Sequence, residues 1–192
     1  MKSFEDFEEI RTKKINTLIV QSDKTISTSS PNTYSRMENH EYIRKAVPGD
    51  HKQIYLLEKK CFPGALAYSK QQLKYLLTKA HRTFLVETHN ETIRGFIIIL
   101  YRKGTSIAGL ETVNVNPQYQ KQGIGKRLLK TAEDEMKKNG IKMVRLEVSP
   151  GNRAAIMLYK KEGFQMVSLL KNYYVYPHQG SRDALRMTKE LD

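Results

Sequence analysis

The sequence predicts a mixed α/β domain, because segments with strand patterning alternate with segments of helical periodicity along most of the chain. In residues 142–148, Val144, Leu146 and Val148 alternate with charged residues, as in a strand with one buried face. In residues 122–139, apolar residues recur every three or four positions and Gly140 follows as a helix stop. A length of 192 residues suits one domain with an appendage.

The predicted elements follow in the order β-α-α-β-β-β-α-β-α-β-β. Turn residues at 48–50 separate the first strand from the first helix, which Asp50 is expected to cap, and Ser69 opens the second. We predict strands at 42–47, 82–88, 94–101, 110–116, 142–148, 164–171 and 184–191, and helices at 50–61, 69–77, 122–139 and 152–162.

The first forty residues differ from the rest in composition. Residues 1–20 predict a short amphipathic helix, and residues 21–40 are polar, rich in Ser and Thr and interrupted by Pro31, as in a linker. We therefore predict an N-terminal extension over 1–40 and one domain over 41–192. A flexible arm, or a helix packed on its own domain or a neighbour, is favoured over a targeting element.

Charge is distributed unevenly along the chain. Residues 1–40 contain six basic and six acidic residues, so the whole formal net charge of +13 falls on residues 41–192. A domain this basic is expected to attract polyanions, which include a phosphorylated cofactor, nucleic acid or a ribosome surface.

Several classes of protein are disfavoured. The longest strongly apolar run, 96–101, is far too short for a membrane span, and the acidic N-terminus lacks the apolar core of a signal peptide. The single Cys61 excludes an intrachain disulfide and a multi-cysteine zinc site, and the five histidines have no ligand spacing. We expect a cytoplasmic protein without a metal.

A glycine-containing loop is the most informative segment. Gly123 and Gly125 stand where a strand gives way to a helix, so main-chain N–H groups can approach a ligand there. With Lys121, Lys126 and Arg127 beside them, these donors predict a pyrophosphate cradle. A Walker A loop and a dinucleotide fingerprint both lack required residues, but an ordinary strand–helix turn stays open on these residues alone.

Several motifs together resemble a known family. Residues 120–125 (QKQGIG) resemble the Q/R-x-x-G-x-G/A motif of the GCN5-related N-acetyltransferase (GNAT) superfamily, and residues 146–152 (LEVSPGN), 154–159 (AAIMLY) and 163–164 look like its later motif. Residues 172–174, 182–184, 44–46 and 61–63 are similar to RimI-like protein N-terminal acetyltransferases. The resemblance covers about residues 41–191.

The resemblance implies a fold and a cosubstrate. The expected fold is a mostly antiparallel sheet of six to seven strands with a splayed central pair, flanked by about four helices, and acetyl-CoA would lie in the gap. By analogy, the pantetheine arm would pair with the main chain of Val113, Asn114 and Val115. The other cofactor contacts would come from Lys121, Gln122, Gly123, Ile124, Gly125, Lys126, Asn152 and Tyr159.

The resemblance also implies two catalytic residues. Glu147 would take a proton from the acceptor amine, and Tyr159 would donate one to the departing thiolate. Two other interpretations remain open: Glu147 is solvated or ion-paired with Arg145 or Lys142, and Tyr159 is a core aromatic. Because a free α-amine (pKa about 8) is neutral more often than a lysine amine (about 10.4), a carboxylate base favours a chain N-terminus.

Two loops are expected to bind the acceptor. By analogy, Tyr173 and Tyr174 would cover its first residues, and the loop with Phe62, Pro63 and Tyr68 would form the opposite wall, although an exposed aromatic hairpin is the alternative. The loop over 62–68 looks longer than common versions.

The expected activity is acetyl transfer from acetyl-CoA to the N-terminal α-amine of a protein, with a ribosomal-protein alanine as one candidate. Acetylation of lysine or of a small amine is the alternative, and a non-catalytic acyl-CoA- or RNA-binding module is the rival from another class. The expected partners are a protein N-terminus and no membrane, with nucleic acid met only through the ribosome. We expect a monomer or weak dimer.

Overall fold

A computed structural model of the chain describes residues 41–62 and 64–191. The predicted extension over residues 1–40, with its helix, linker and boundary, lies outside the described residues, as does Pro63. The described residues form the predicted order of strands and helices, with every end within three residues of its predicted position. None of the helices in this part of the chain is both long and apolar enough to cross a bilayer.

Seven strands and four α-helices make up the domain. The strands are β1 (Glu41–Lys45), β2 (Arg82–His89), β3 (Thr92–Tyr101), β4 (Ile107–Val115), β5 (Met143–Val148), β6 (Gln165–Leu170) and β7 (Ala184–Glu190). The helices are α1 (His51–Cys61), α2 (Lys70–Thr78), α3 (Ile124–Lys138) and α4 (Arg153–Lys161).

The strands form one sheet in the order β1-β2-β3-β4-β5-β7-β6. All neighbours are antiparallel except β4 and β5, which run parallel and pair only at Ile107–Met143, Ala108–Val144 and Gly109–Arg145. Beyond these pairs β4 continues to Val115 and β5 to Val148, so the two strands separate. The expected sheet with a splayed central pair is confirmed.

A β-bulge marks the start of the separation. Opposite β3, Ile99 faces Leu110 and Ile98 faces Thr112, so Glu111 is the extra residue on β4. The bulge changes which side of the sheet the later side chains of β4 face. Ala108 and Leu110 lie in one core cluster, whereas the Asn114 side chain contacts α1 on the other side of the sheet.

Helices cover the two faces of the sheet. α3 and α4 pack on one face, in a core that includes Leu128, Leu146 and Tyr159, and α1 and α2 pack on the other around Ile54, Leu73 and Phe96. Val144, Leu146 and Val148 all face α3 and α4, so alternation along β5 places Arg145 and Glu147 on the α1–α2 face. β5 therefore carries apolar side chains on the α3–α4 face and charged side chains on the α1–α2 face.

Helix starts follow the predicted residues with one difference. Ser69 and Gln72 form a reciprocal capping box at α2. Asp50 occupies the first position before α1, but its side chain does not cap that helix. Its carboxylate instead accepts hydrogen bonds from the Val47 N–H (2.8 Å) and from both terminal nitrogens of Arg44 (2.6 and 2.8 Å). Pairing with a nearby arginine therefore replaces the expected cap.

Replacing Asp50 by Asn is expected to destabilise the domain by about 2 kcal/mol, because it removes a charge-assisted hydrogen bond from a partly buried pair. Burial of Asp50 opposes its charged form, but the hydrogen bonds from Arg44 and Val47 outweigh burial and lower its pKa. A lowered pKa in the folded state stabilises the fold above the ordinary pKa and loses that effect as the pH falls. Urea unfolding at pH 7 and pH 3 should show the difference between wild type and variant shrinking at pH 3.

The exposed Asp134 provides the control. Asp134→Asn should change the free energy of unfolding little at either pH. An Asp50→Asn effect that was equally large at pH 3 would contradict an ionised Asp50 as its cause.

Candidate active site

The open end of the gap lies at the N-terminus of α3. Gly123 precedes the first helical residue with φ +76°, in the left-handed region that favours glycine. A Cβ on Gly125 would lie 3.1 Å from Leu158 Cδ2 and 3.8 Å from Val115 Cγ2, so glycine allows α3, α4 and β4 to meet closely. The unpaired N–H groups of the first turn of α3 are thereby placed beside the gap.

Basic side chains surround the first turn of α3, but one of them, Arg127, binds other residues of the protein. Arg127 donates to the main-chain oxygen of Gln122 (2.8 Å) and to Glu87 (2.7 Å), a carboxylate whose side chain is 1% exposed. Its guanidinium therefore fastens the glycine loop to the sheet, although the sequence predicted that it adds charge to the cradle. Lys121 and Lys126 remain on the surface, with Lys126 3.4 Å from Glu162.

Gly123→Ala is expected to weaken acetyl-CoA binding about tenfold and to lower stability by about 1 kcal/mol, because a left-handed backbone is unfavourable for alanine. Isothermal titration calorimetry measures the first effect. Gly104→Ala is the matched control, since Gly104 has φ +78° and a Cβ added there would meet no atom within 4 Å. It should cost the same stability and leave binding unchanged; equal losses of affinity would refute a role for the loop.

In the segment expected to pair with pantetheine, the side chains of Val113 and Asn114 are engaged within the protein. The buried Asn114 side chain donates to Glu58 on α1 and accepts from Thr112 Oγ1 (3.0 Å), so it does not face the gap. The Val115 oxygen already accepts from Cys61 Sγ (3.5 Å) and Gln120 Nε2 (3.4 Å). The side chains of Val113 and Ile124 pack in the α3–α4 core.

Two expected residues lie on α4. Asn152 caps this helix, because its side-chain oxygen accepts from the Ala155 N–H (3.1 Å). Tyr159 is 7% exposed, and its ring lies 5.5 Å from that of Phe164, so it is also a core aromatic. Burial, with a smaller contribution from Tyr174, raises the pKa of Tyr159 well above its ordinary value. The hydroxyl is therefore protonated at neutral pH.

Glu147 is held between two arginines. Its carboxylate accepts from Arg186 Nε (2.8 Å) and lies 3.2 Å from Arg145 Nε. The ion pair with Arg145 is thus present, and Arg186, directly opposite Glu147 on β7, adds a second cation. The side chain is 1% exposed although the residue as a whole is half-buried, so its exposed part is main chain at the strand edge.

Tyr68 is buried, and both its main chain and its hydroxyl bind carboxylates. Its N–H donates to Glu58 (2.8 Å), and its hydroxyl donates to Glu111, the extra residue of the β4 bulge. Glu58, which also binds Asn114, therefore ties the end of the 62–68 loop to the strand that borders the gap. The sequence predictions included neither carboxylate.

The two predicted acceptor loops meet through a histidine. The His178 ring stacks on Tyr174 with centroids 4.1 Å apart and lies edge-on to Phe62 at 6.4 Å, and Tyr173 contacts Tyr174 at 5.1 Å. His178 of the β6–β7 loop thus contacts Phe62 of the α1–α2 loop, and Tyr174 and Tyr173 extend this aromatic cluster. His178 was missed because a single histidine in a polar loop carries no spacing signal.

Gly151 holds the β6–β7 loop close to the start of α4. A Cβ at this position would overlap the Gln179 main-chain oxygen, which no side chain permits. Ser149 Oγ also donates to the main-chain oxygen of His178. The aromatic wall is therefore positioned by the same β5–α4 segment that carries Glu147 and Asn152.

Cys61 lies near this wall but is a poor nucleophile. Burial and the charge of Glu58 raise the pKa of its thiol to about 11, so it is protonated at neutral pH. Histidine, cysteine, aspartate and glutamate form no group of three or more suited to a metal ion within the described residues.

Part of the sequence is similar to known N-acetyltransferases. Over 80 residues, 42% of this chain and 53% of the relative, the chain is 41% identical to the [ribosomal protein bS18]-alanine N-acetyltransferase of Escherichia coli strain K12. The chain is also 45% identical to the N-alpha-acetyltransferase RimI of Mycobacterium tuberculosis over 65 residues. This segment covers 34% of this chain and 39% of that relative. The chain therefore spans about half the length, or less, of these curated relatives.

The likeness of the folds extends further. The crystal structure of the ribosomal-protein-S18-alanine N-acetyltransferase from Escherichia coli superposes with a TM-score of 0.71 and 28% identity, covering 80% of this chain and 95% of that one. The acetyltransferase (GNAT) family matches residues 51–164, which is more than half of the sequence. The chain belongs to the acetyltransferase (GNAT) family.

Proposed function

We propose that this protein transfers an acetyl group from acetyl-CoA to the N-terminal α-amine of another protein. The observation that carries the proposal is the gap between β4 and β5, which has the α3 N-terminus on one side of the sheet and Glu147 with the aromatic loops on the other. A two-sided gap suits two substrates that meet within the sheet. Membership of the GNAT family supports this interpretation.

The residues present fit acetyl-CoA. The N–H groups of the first turn of α3, with Lys121 and Lys126 on the surface nearby, would hold the diphosphate. Main-chain groups of residues 113–115 would border the pantetheine arm, and Tyr159 lies in the core beneath the gap. Gln122, Gly123, Ile124 and Gly125 would contribute main chain, and Asn152 would stand at the start of the neighbouring helix.

Acetyl-CoA supplies the acetyl group as an activated thioester. Glu147, on the acceptor face, would accept a proton from the attacking amine through a water molecule, while Arg186 and Arg145 lie beside its Oε1 atom. Tyr159, on the opposite face and protonated, would donate its proton to the departing sulfur. An N–C bond forms and a C–S bond breaks, and each proton has a defined acceptor.

Transfer would proceed directly from thioester to amine. A route through an acetylated cysteine needs a thiolate, and the raised pKa of Cys61 disfavours one at neutral pH. We propose a monomer or weak dimer as the working unit. We place the reaction in the cytoplasm.

The proposed class of acceptor depends on how readily its amine loses a proton and on the acceptor of a similar protein. The Escherichia coli relative is named for the alanine of a ribosomal protein as its acceptor, and we propose a protein N-terminus of this kind here. An α-amine needs less help to lose its proton than a lysine amine does, which suits a carboxylate held by two arginines. Phe62, Tyr173 and Tyr174 would contact the first residues of the peptide, with Tyr68 behind them and Pro63 in the same loop.

A peptide panel tests the proposal. Peptides that differ in their first residue, each with an internal lysine, are incubated with acetyl-CoA, and tandem mass spectrometry locates the acetylated nitrogen. We expect modification of the α-amine and none of peptides whose N-terminus is already blocked. Acetylation confined to lysine side chains or to polyamines would assign the alternative substrate class, and no transfer at all would favour a non-catalytic module.

A further inference from the structure

The outer surface of α1 and α2 carries only positive charges. In residues 51–90 the only carboxylates are Glu58 and Glu87, and both are fully buried. The lysines of the same stretch are all exposed, and we call them the lysine surface: Lys52, Lys59, Lys60, Lys70, Lys74 and Lys79. Within this stretch no exposed acid balances them, and the exposed Glu91 that follows it contacts α1 at Gln53 through its main-chain oxygen.

The lysines form two adjacent rows. Lys52 and Lys60 are eight residues apart on α1, and Lys70 and Lys74 are four apart on α2, so each row follows one helix face. The rows lie side by side, because the Lys70 main-chain oxygen is 2.8 Å from His51 Nε2 and its ammonium lies 5.3 Å from the Tyr55 ring. Among the described residues, these lysines make no ion pair with a carboxylate.

The opposite helical layer has a different charge pattern. On α3 the lysines alternate with Glu133, Asp134 and Glu135. Lys138 lies 3.0 Å from Glu135, and Lys189 of β7 lies 2.6 Å from Glu133. The positive surface of α1 and α2 is therefore a property of one face of the domain and not of its composition as a whole.

We propose that the lysine surface docks on the phosphate backbone of RNA. α1 and α2 contain no arginine, and lysine binds phosphate as a point charge without the fork geometry that reads base edges. Within these two helices Leu56 is the one exposed large hydrophobic residue, so the apolar anchors that a membrane or a protein partner would need are scarce. A purely electrostatic surface fits a polyanion best.

The position of this surface connects it to the acceptor. α1 ends at Cys61, directly before Phe62, and covers the face of the sheet on which Glu147 and the aromatic loops lie. RNA bound here would flank the acceptor and leave the α3 end of the gap open. The inference goes beyond the proposed activity and does not depend on it.

Fluorescence anisotropy with a short labelled RNA hairpin tests the docking, using the full chain between about 50 and 200 mM salt. We compare Lys52→Glu/Lys60→Glu/Lys74→Glu with the control Lys103→Glu/Lys130→Glu/Lys137→Glu, which changes net charge equally at exposed lysines elsewhere. The first variant should bind more than about tenfold more weakly and lose about three units of salt slope, whereas the control should lose far less. Neither variant should alter acetylation of a short peptide.

Lysine footprinting provides a second test on the unaltered protein. RNA should protect Lys52, Lys60 and Lys74 from an amine-reactive reagent and leave Lys130 and Lys137 reactive. The proposal fails if both variants lose equal affinity, if the footprint is uniform, or if the wild type binds no RNA at low salt. It also fails if polyglutamate or phosphatidylserine vesicles bind the lysine surface more tightly than RNA does, which would assign a different class of partner.

Discussion

Replacement of Glu147 by Gln should lower kcat/KM for a peptide acceptor by about 10²- to 10⁴-fold, the range over which general-base catalysis contributes. Gln is nearly isosteric and still accepts a hydrogen bond from Arg186, so the change removes the proton acceptor and leaves the shape of the site. Acetyl-CoA should bind with unchanged affinity, because Glu147 lies on the α1–α2 face, opposite the Tyr159 side of the sheet. Steady-state kinetics and calorimetry separate these two effects.

The exposed Glu190 on β7 supplies the matched control for this change. Glu190→Gln should leave both kinetics and affinity as in the wild type. If Glu147→Gln retained kcat/KM within about threefold of the wild type, Glu147 would act only as the partner of Arg145 and Arg186.

Replacement of Tyr159 by Phe should lower kcat by about 10²-fold or more while acetyl-CoA affinity stays nearly constant. Phe preserves the ring that packs beside Phe164 and deletes only the hydroxyl that would protonate the departing sulfur. Tyr176→Phe, at an exposed position of the β6–β7 loop, is the control and should have little effect. Unchanged turnover in Tyr159→Phe would remove the hydroxyl from the mechanism.

The pH dependence gives this prediction a second readout. Burial raises the pKa of Tyr159, so the donor form persists above the ordinary tyrosine pKa of about 10. The pH–rate profiles of wild type and Tyr159→Phe should therefore have the same shape and differ only in height up to that pH. A loss of wild-type activity near pH 8–9 that was absent from the variant would show that Tyr159 titrates lower than its burial allows.

The fold was predictable because local patterns and tertiary structure agree along most of the chain. Alternation in β5 and the apolar stripe of α3 each mark one buried face, and the glycines that precede and open α3 mark a close approach of backbone. The splayed pair came from the family resemblance, since no local pattern encodes where two strands part.

The parts of the site that the sequence did not predict depend on contacts between residues that are distant in sequence. Arg186 reaches Glu147 only through the pairing of β5 with β7, and Glu111 meets Tyr68 only because a bulge alters the side-chain alternation of β4. The unpredicted roles of Arg127 and Asp50 have the same origin. Arg127 pairs with Glu87, and Asp50 pairs with Arg44. These ion pairs compete with the roles that the local sequence indicates, which are phosphate binding for Arg127 and helix capping for Asp50.

A crystal structure with bound coenzyme A tests the central claim most directly. We predict that the diphosphate accepts hydrogen bonds from main-chain N–H groups at the start of α3, and that the pantetheine arm lies between β4 and β5 with its sulfur near the Tyr159 hydroxyl. Coenzyme A bound elsewhere, or strands β4 and β5 paired beyond Gly109 and Arg145 with no room between them, would contradict this claim.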